Sequence, residues 1–361
     1  FRGSGMLGNG VLWMLVSTLM AWLVPVLPVQ AGRVLSPDAL SVAQTEGDAR
    51  VMVMLRTSQR MASVSVSTPA RRMDAVRASV DRVLGDLPAG GHQVLRRYAL
   101  VPAIAMGADA ATLRRLARHP RVTRIDLDVG GSGSASAPDE ASVLNRVSGL
   151  RGLGLDGRGM KVAVIDSGLD TDHPDLRAHL VGQECFCSAQ SGPGGCCPDG
   201  TARQSGAGAA EDQDGHGTNV TGIIVGAGLV APVGAVPNAS LLAVRVLDAE
   251  GRFCCSSDIV AALDWLAVHH PDVDVVNLSL GTDGLFGGSC DAATSWTQAL
   301  STAVDNLIAR GAVVVASSGN EGDLARTAAP ACIGDVLGVA ATWDARLGAV
   351  GFSRCIDSPT A

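Results

Sequence analysis

From Lys161 onward, continuous apolar runs alternate along the chain with stretches of helical periodicity. The runs "KVAVID" (161–166), "SLLAVRVL" (240–247), "DVVNLSLG" (274–281), "AVVVASSGN" (312–320) and "DVLGVAAT" (335–342) are rich in β-branched residues and lack polar alternation. Such runs suit strands covered on both faces. Between them lie a helix from about Gly217, "SSDIVAALDWLAVHH" (256–270) and "TSWTQALSTAVDNLIARG" (294–311). The alternation predicts an α/β domain built on a doubly wound, mainly parallel sheet.

The preceding module, residues 49–128, has a different pattern. "ARVMVMLR" reads as a strand and "TPARRMDAVRASVDRVLGDL" as a helix. "HQVLRRYALVPAIAMGA" supplies one or two strands, "DAATLRRLARHP" a second helix and "RVTRIDLD" a last strand. Asp109 is placed to cap the second helix and Pro120 to end it. A β-α-β-β-α-β order with antiparallel pairing predicts a small α+β, ferredoxin-like domain. The Gly/Ser-rich "VGGSGSASAPDE" (129–140) predicts a flexible linker, extending to 145, and a domain boundary. The second domain then runs over 146–361.

Length and charge narrow the picture. With 361 residues and 47% hydrophobic content the chain can bury more than one core. A net charge of −7 with scattered Lys and Arg leaves no basic face, so nucleic acid is not an expected partner. "VLWMLVSTLMAWLVPVLPVQA" (11–31) is uncharged, is interrupted by Pro25 and Pro28, and ends in a small residue. It reads as a secretory signal peptide (1–31), implying a secreted or periplasmic protein with no stable membrane partner after cleavage, the alternative being an uncleaved anchor. Met6 is a plausible initiator. All nine cysteines lie at or beyond Cys185. In an exported chain they read as disulfides in surface insertions, and "CFC" and "CC" lack the spacing with which paired thiolates chelate zinc. The segment 184–214 is expected to be one such disulfide-stapled insertion, and the odd count leaves one thiol over.

In parallel α/β sheets chemistry collects beyond the carboxyl ends of the strands. There "KVAVID" ends at Asp166, "DVVNLSLG" at Ser279, Leu280 and Gly281, and "AVVVASSGN" at Ser317, Ser318, Gly319 and Asn320. His216 sits between two glycines ahead of a helix, in "DGHGTNVTG" (214–222). Together an Asp, a His and an Asn can hold an imidazole, move a proton and bind a developing oxyanion. Gly215 and Gly217 are expected to keep the approach to the imidazole clear of side chains.

"VAVIDSGLDTDHPDL" (163–176), "DGHGTNVTG", "NLSLG" (277–281) and "ASSGN" (316–320) resemble, in order, the motifs of subtilisin-like serine peptidases. The first domain, through "VLRRYALVPAIAMGADAATLRRLARHPRVTRIDLD", resembles the inhibitory propeptide of that family. The resemblance implies Asp166 as the triad acid, His216 as the base and Asn320 as the oxyanion side chain. Ser279, Leu280 and Gly281 would pair with an extended substrate, while Ser317, Ser318 and Gly319 would line the pocket before the scissile bond. Protein or peptide substrates, and the chain's own propeptide as an intramolecular inhibitor, are the implied partners. No cofactor is required. Asp175 matches one calcium ligand, although "GAGLVAPVG" (226–234) lacks the Asn that completes that site in many relatives.

The nucleophile motif Gly-Thr-Ser-x-Ala-x-Pro is absent from the 361 residues, and "GFS" (351–353) resembles the stretch upstream of it. The sequence therefore predicts a chain truncated before the catalytic serine and unable by itself to hydrolyse peptides. The alternative is a secreted, inactive, peptide-binding pseudopeptidase. The sequons at Asn219, Asn238 and Asn277 are given no role.

Overall fold

The computed structural model describes residues 34–57, 68–133, 147–192 and 194–341. The expected signal segment, "GFS" and Cys355 lie outside the described residues. The first domain opens with α1 (Pro37–Thr45), an element the pattern did not announce, capped by the Ser36 hydroxyl on the Ala39 N–H. β1 (Ala49–Leu55), α2 (Pro69–Gly85), β2 (His92–Arg97), β3 (Ala103–Ala108), α3 (Ala110–Ala117) and β4 (Val122–Leu127) follow. They make one antiparallel sheet in the order β2-β3-β1-β4, the ferredoxin-like arrangement read from the sequence. Thr68 caps α2 and Asp109 caps α3.

Alternation along β1 sorts its side chains between two cores. Val51, Val53 and Leu55 join Val76, Val80, Leu113 and Leu116 beneath the domain's own helices. Met52 and Met54, with Ala103 and Ala105 of β3, belong instead to the large core of the second domain.

The next segment corrects an expectation. Val129 packs against that large core, and Gly131–Gly133, expected to begin a flexible linker, forms strand β5. After α4 (Val147–Gly152) come β6 (Lys161–Asp166), β7 (Leu180–Phe186), β8 (Arg203–Ser205), α5 (His216–Val225), β9 (Ser240–Arg245) and β10 (Arg252–Phe253). They are followed by α6 (Ser256–His269), β11 (Val275–Leu278), β12 (Leu280–Thr282), β13 (Leu285–Phe286) and α7 (Ser295–Ile308). The described chain closes with β14 (Val313–Ser317), β15 (Thr327–Ala328) and β16 (Leu337–Val339). A seven-stranded sheet runs β16-β14-β11-β6-β9-β7-β8, parallel except for β8. Four of its pairings, β16-β14, β14-β11, β11-β6 and β6-β9, join the apolar runs read from the sequence, whereas β7 was not among those runs.

Helix α6 is apolar almost all round because it is covered by the parallel sheet and by the outer face of the β1–β4 sheet. Polar contacts fix that second covering. Asp128 Oδ1 accepts from Ser256 Oγ (2.9 Å) and Ser257 N–H (3.0 Å) at the start of α6. Asp126 Oδ2 accepts the Ser295 N–H (2.7 Å) at the start of α7, while Ser295 Oγ accepts the Asp126 N–H. Both carboxylates thus meet the positive end of a helix. Arg96 pairs with buried Asp258, Arg72 reaches Asn306 on α7, and Asp264 accepts the N–H groups of Ala99 and Leu100. Burial pushes the Asp264 carboxyl above its ordinary range despite those two bonds.

The cysteines pair, but not only in surface insertions. Cys185–Cys197 and Cys187–Cys196 staple the 184–214 segment, whose Ser188 contacts Arg50 and Arg96 of the first domain. Cys290–Cys332 lies in the large core, and Cys254–Cys255 joins neighbours directly after β10.

Asp128→Ala is expected to destabilise the chain by about 1–2 kcal/mol, the worth of a helix cap on a favourable dipole. Asp81→Ala, which breaks an ion pair with Arg97 exposed on both sides, should change stability by less than about 0.5 kcal/mol. Urea unfolding of both variants checks the contrast; equal effects would remove Asp128 from the interface account.

Candidate active site

Asp166 is the last residue of β6 and is fully buried. Its Oδ1 accepts the Ser167 N–H (2.7 Å) and lies 2.6 Å from Nδ1 of His216, the first residue of α5. Burial raises the Asp166 carboxyl, opposed by the His216 contact and the Ser167 bond. With the carboxylate accepting, Nδ1 carries the hydrogen and Nε2 the lone pair, the tautomer suited to taking a proton from a nucleophile.

The two glycines flanking His216 meet demands of the backbone. Gly215 has φ 100°, the left-handed conformation from which α5 starts. At Gly217 a Cβ would overlap the Gly168 carbonyl and lie 3.1 Å from Asp166 Oδ1, so only glycine lets α5 close on the turn after β6.

Asp212 was not singled out in the sequence, yet it anchors the whole segment. Its Oδ1 accepts from Gly215 N–H (2.9 Å) and Ser167 Oγ (2.9 Å), and its Oδ2 from Thr218 N–H (3.0 Å) and Thr218 Oγ1 (2.6 Å). Ser167 Oγ in turn accepts the Gly217 N–H (2.8 Å). Beneath, fully buried Arg245 on β9 donates to the Glu211 carbonyl and to Gln213 Oε1. The signal available in the sequence was the Asp-rich turn "DQDG", where side chains bond backbone a few residues on.

Beside the pair lies a groove, and the first domain's tail fills it. β5 is the middle strand of a three-stranded antiparallel sheet, β10-β5-β12. Gly131 pairs with Phe253 and Thr282, Ser132 with Arg252 and Gly281, and Gly133 with Leu280. A Cβ on Gly133 would lie 3.3 Å from the His216 ring, so the strand runs up to the imidazole. Of the expected groove residues, Leu280 and Gly281 stand in this ladder. Ser279 does not; its hydroxyl accepts from Asn277 Nδ2. Thr282 and the opposite wall, Arg252 and Phe253, were missed because a two- or three-residue strand leaves no periodic signal.

Ser317 Oγ donates to the Leu280 carbonyl (3.1 Å), tying β14 to the groove, while the Ser318 N–H bonds Val339 across to β16. Gly319 Cα lies 4.0 Å from where a Gly281 Cβ would stand. Asn320 follows at the exposed carboxyl end of β14, two strands from β6 in the row β14-β11-β6.

Asp175 does not fit a calcium site. Its carboxylate accepts the N–H groups of Leu229, Val230 and Ala231, which hold it below the ordinary carboxyl range although burial would raise it. Three peptide N–H groups therefore occupy the side where a cation would need oxygen ligands. Among the described residues no three His, Cys, Asp or Glu side chains group to hold a metal ion.

Burial would raise the Asp212 carboxyl, but its bonds from Gly215, Thr218 and Ser167 outweigh this and hold it low. A depressed native pKa stabilises the fold above the unfolded value of about 3.9, and the gain is lost as pH falls through the native value. Asp212→Asn should therefore cost about 1.5–3 kcal/mol at pH 7. That deficit should shrink below pH ~4, where the unfolded chain's carboxyl takes up its proton, and should be least below the depressed native value. Melting curves of both proteins across pH check this; a deficit independent of pH would show that the charge does not matter.

A model of the subtilase family of peptidases matches residues 157–356. Subtilisin E of Bacillus subtilis (strain 168) is 30% identical over 239 residues, covering 66% of this chain and 54% of that protein. Subtilisin amylosacchariticus of Bacillus subtilis subsp. amylosacchariticus is 31% identical over 234 residues, covering 64% and 53%. The extracellular serine proteinase of Thermus sp. (strain Rt41A) is 31% identical over 265 residues, covering 70% and 56%. The chain spans about half the length of the curated relatives it matches. On this match, and in keeping with its parallel sheet, the chain belongs to the subtilase family.

Proposed function

We propose that the chain carries the acid–base pair and substrate groove of a secreted serine endopeptidase, kept inhibited by its own N-terminal domain. The observation that carries this reading is β5, an extended segment paired on both sides and ending against His216. That is how a peptide substrate would lie, added as a strand to waiting edges.

In this reading His216 Nε2 removes the proton of a serine hydroxyl contributed from outside the 361 residues. Asp166 holds the ring and stabilises the imidazolium formed; the Asn320 amide donates to the oxyanion. The burial of Asp166 supports a catalytic role over peptide binding alone, since a passive groove gains nothing from a desolvated carboxylate facing an imidazole. Leu280, Gly281 and Thr282 bind substrate through the main chain. The 34–133 domain acts as the propeptide: its sheet covers α6 and α7 and its tail occupies the cleft. The four disulfides among the described residues support export to an oxidising compartment.

In the protein that unites this chain with its nucleophilic serine, His216→Ala should lower turnover of unfolded protein substrates by ~10⁴-fold or more. KM should move little, because the groove strands are untouched. Steady-state kinetics on an unfolded protein substrate that carries a Gly-Gly-Ser-Gly segment decide; near-parental turnover would remove His216 from the mechanism.

A further inference from the structure

We propose that the groove between β10 and β12 is a glycine slot, so that its substrates are extended, glycine-rich segments. The proposal rests on the reading of this groove as a peptidase cleft and adds the class of peptide it takes. Its basis is the space around the strand already lying there. At Gly130 a Cβ would stand 2.6 Å from the Phe253 carbonyl oxygen and 2.9 Å from that of Cys254. At Gly131 it would overlap the Gly281 carbonyl oxygen and lie 2.7 Å from both Phe253 Cζ and Thr282 Cα. At Gly133 it would meet Leu247 Cδ1 at 3.2 Å and the His216 ring at 3.3 Å.

None of these three residues adopts a left-handed φ, so glycine is not there for backbone freedom. What excludes a side chain is the wall. Around Gly130 and Gly131 the closest atoms are mainly main chain, which cannot swing aside. β12 is also braced from behind, because the Thr282 N–H bonds the Ala329 carbonyl and Thr282 Oγ1 accepts the Ala329 N–H (3.1 Å). The Phe253 ring is buried in the large core and cannot retreat. At Gly133 the neighbours are side chains that can give a few tenths of an ångström, so that position tolerates a small residue. Ser132, in contrast, is exposed and faces no wall. The slot thus takes two consecutive glycines, then any residue, then a small one beside His216. The chain's own "GGSG" (130–133) has this form.

Hydrogen exchange on the full chain tests the slot without any peptide hydrolysis, so its outcome is separate from that of His216→Ala. Gly131→Ala adds one methyl group and should raise amide exchange in 130–133, 252–253 and 280–282 by about tenfold or more. Ser132→Leu, a far larger change one residue along, should leave those segments protected. Added to the Gly131→Ala chain, the peptide Val-Gly-Gly-Ser-Gly should restore protection of 252–253 and 280–282, and Val-Gly-Ala-Ser-Gly at the same concentration should not. Unchanged protection in Gly131→Ala, equal loss in Ser132→Leu, or equal rescue by both peptides would each overturn the proposal. Should Gly131→Ala disturb the whole fold, the unaltered chain decides: excess glycine peptide should speed exchange at 131–133 while 280–282 stays protected. Displacement by the alanine peptide to the same degree would count against the slot.

Discussion

Two aspartates on one face of an edge strand set the geometry of this molecule. Asp126 and Asp128 are two residues apart on or just past β4, so their side chains point the same way, about 7 Å apart along the strand. Each meets the start of a helix belonging to the other domain. Once both are seated the strand has no freedom of register, because a slip of one residue would turn both carboxylates away. The path beyond is then determined. The Ser256 N–H bonds the Val129 carbonyl, and the next residues pass directly between β10 and β12.

The packing behind these contacts explains an oddity of composition. A small antiparallel sheet ordinarily shows one face to water and alternates accordingly. From Val51 on, β1 is apolar on both faces, because Met52 and Met54 lie against the α6 and α7 layer while Val51 and Val53 lie beneath their own helices. The same layer of helices is therefore the floor of one domain and the roof of the other. Its apolar surface would be left to water if the two were parted, which couples the order of the groove to the presence of the small domain.

Much of this was legible in the sequence for a simple reason: long elements repeat their signal. The parallel strands, α6, α7 and the β-α-β-β-α-β module each carry several periods of pattern. The Asp166–His216 meeting was legible because both residues end or begin such elements. What stayed hidden is short or nonlocal. β10 and β12 are too brief to show a period, and Gly131–Gly133 reads as linker because glycine and serine are what both a loose tether and a tight slot require. Asp212 acts through the N–H groups of Gly215 and Thr218 and the hydroxyls of Ser167 and Thr218, a convergence of donors that only the folded turn brings together. Asp175 matched a family position, yet its oxygens are committed to three peptide N–H groups. Cysteines gave the presence of disulfides but not their depth, as Cys290–Cys332 in the core demonstrates.

The occupant of the groove and the groove itself belong to one polypeptide, joined through 134–146. Binding between them is consequently a unimolecular event with an effective concentration on the order of millimolar, whatever the dilution of the protein. Scission anywhere in that connection would leave every contact in place and yet change the law that governs them. Occupancy would then depend on the concentration of the freed fragment and on its dissociation rate, turning a permanent seal into a timer.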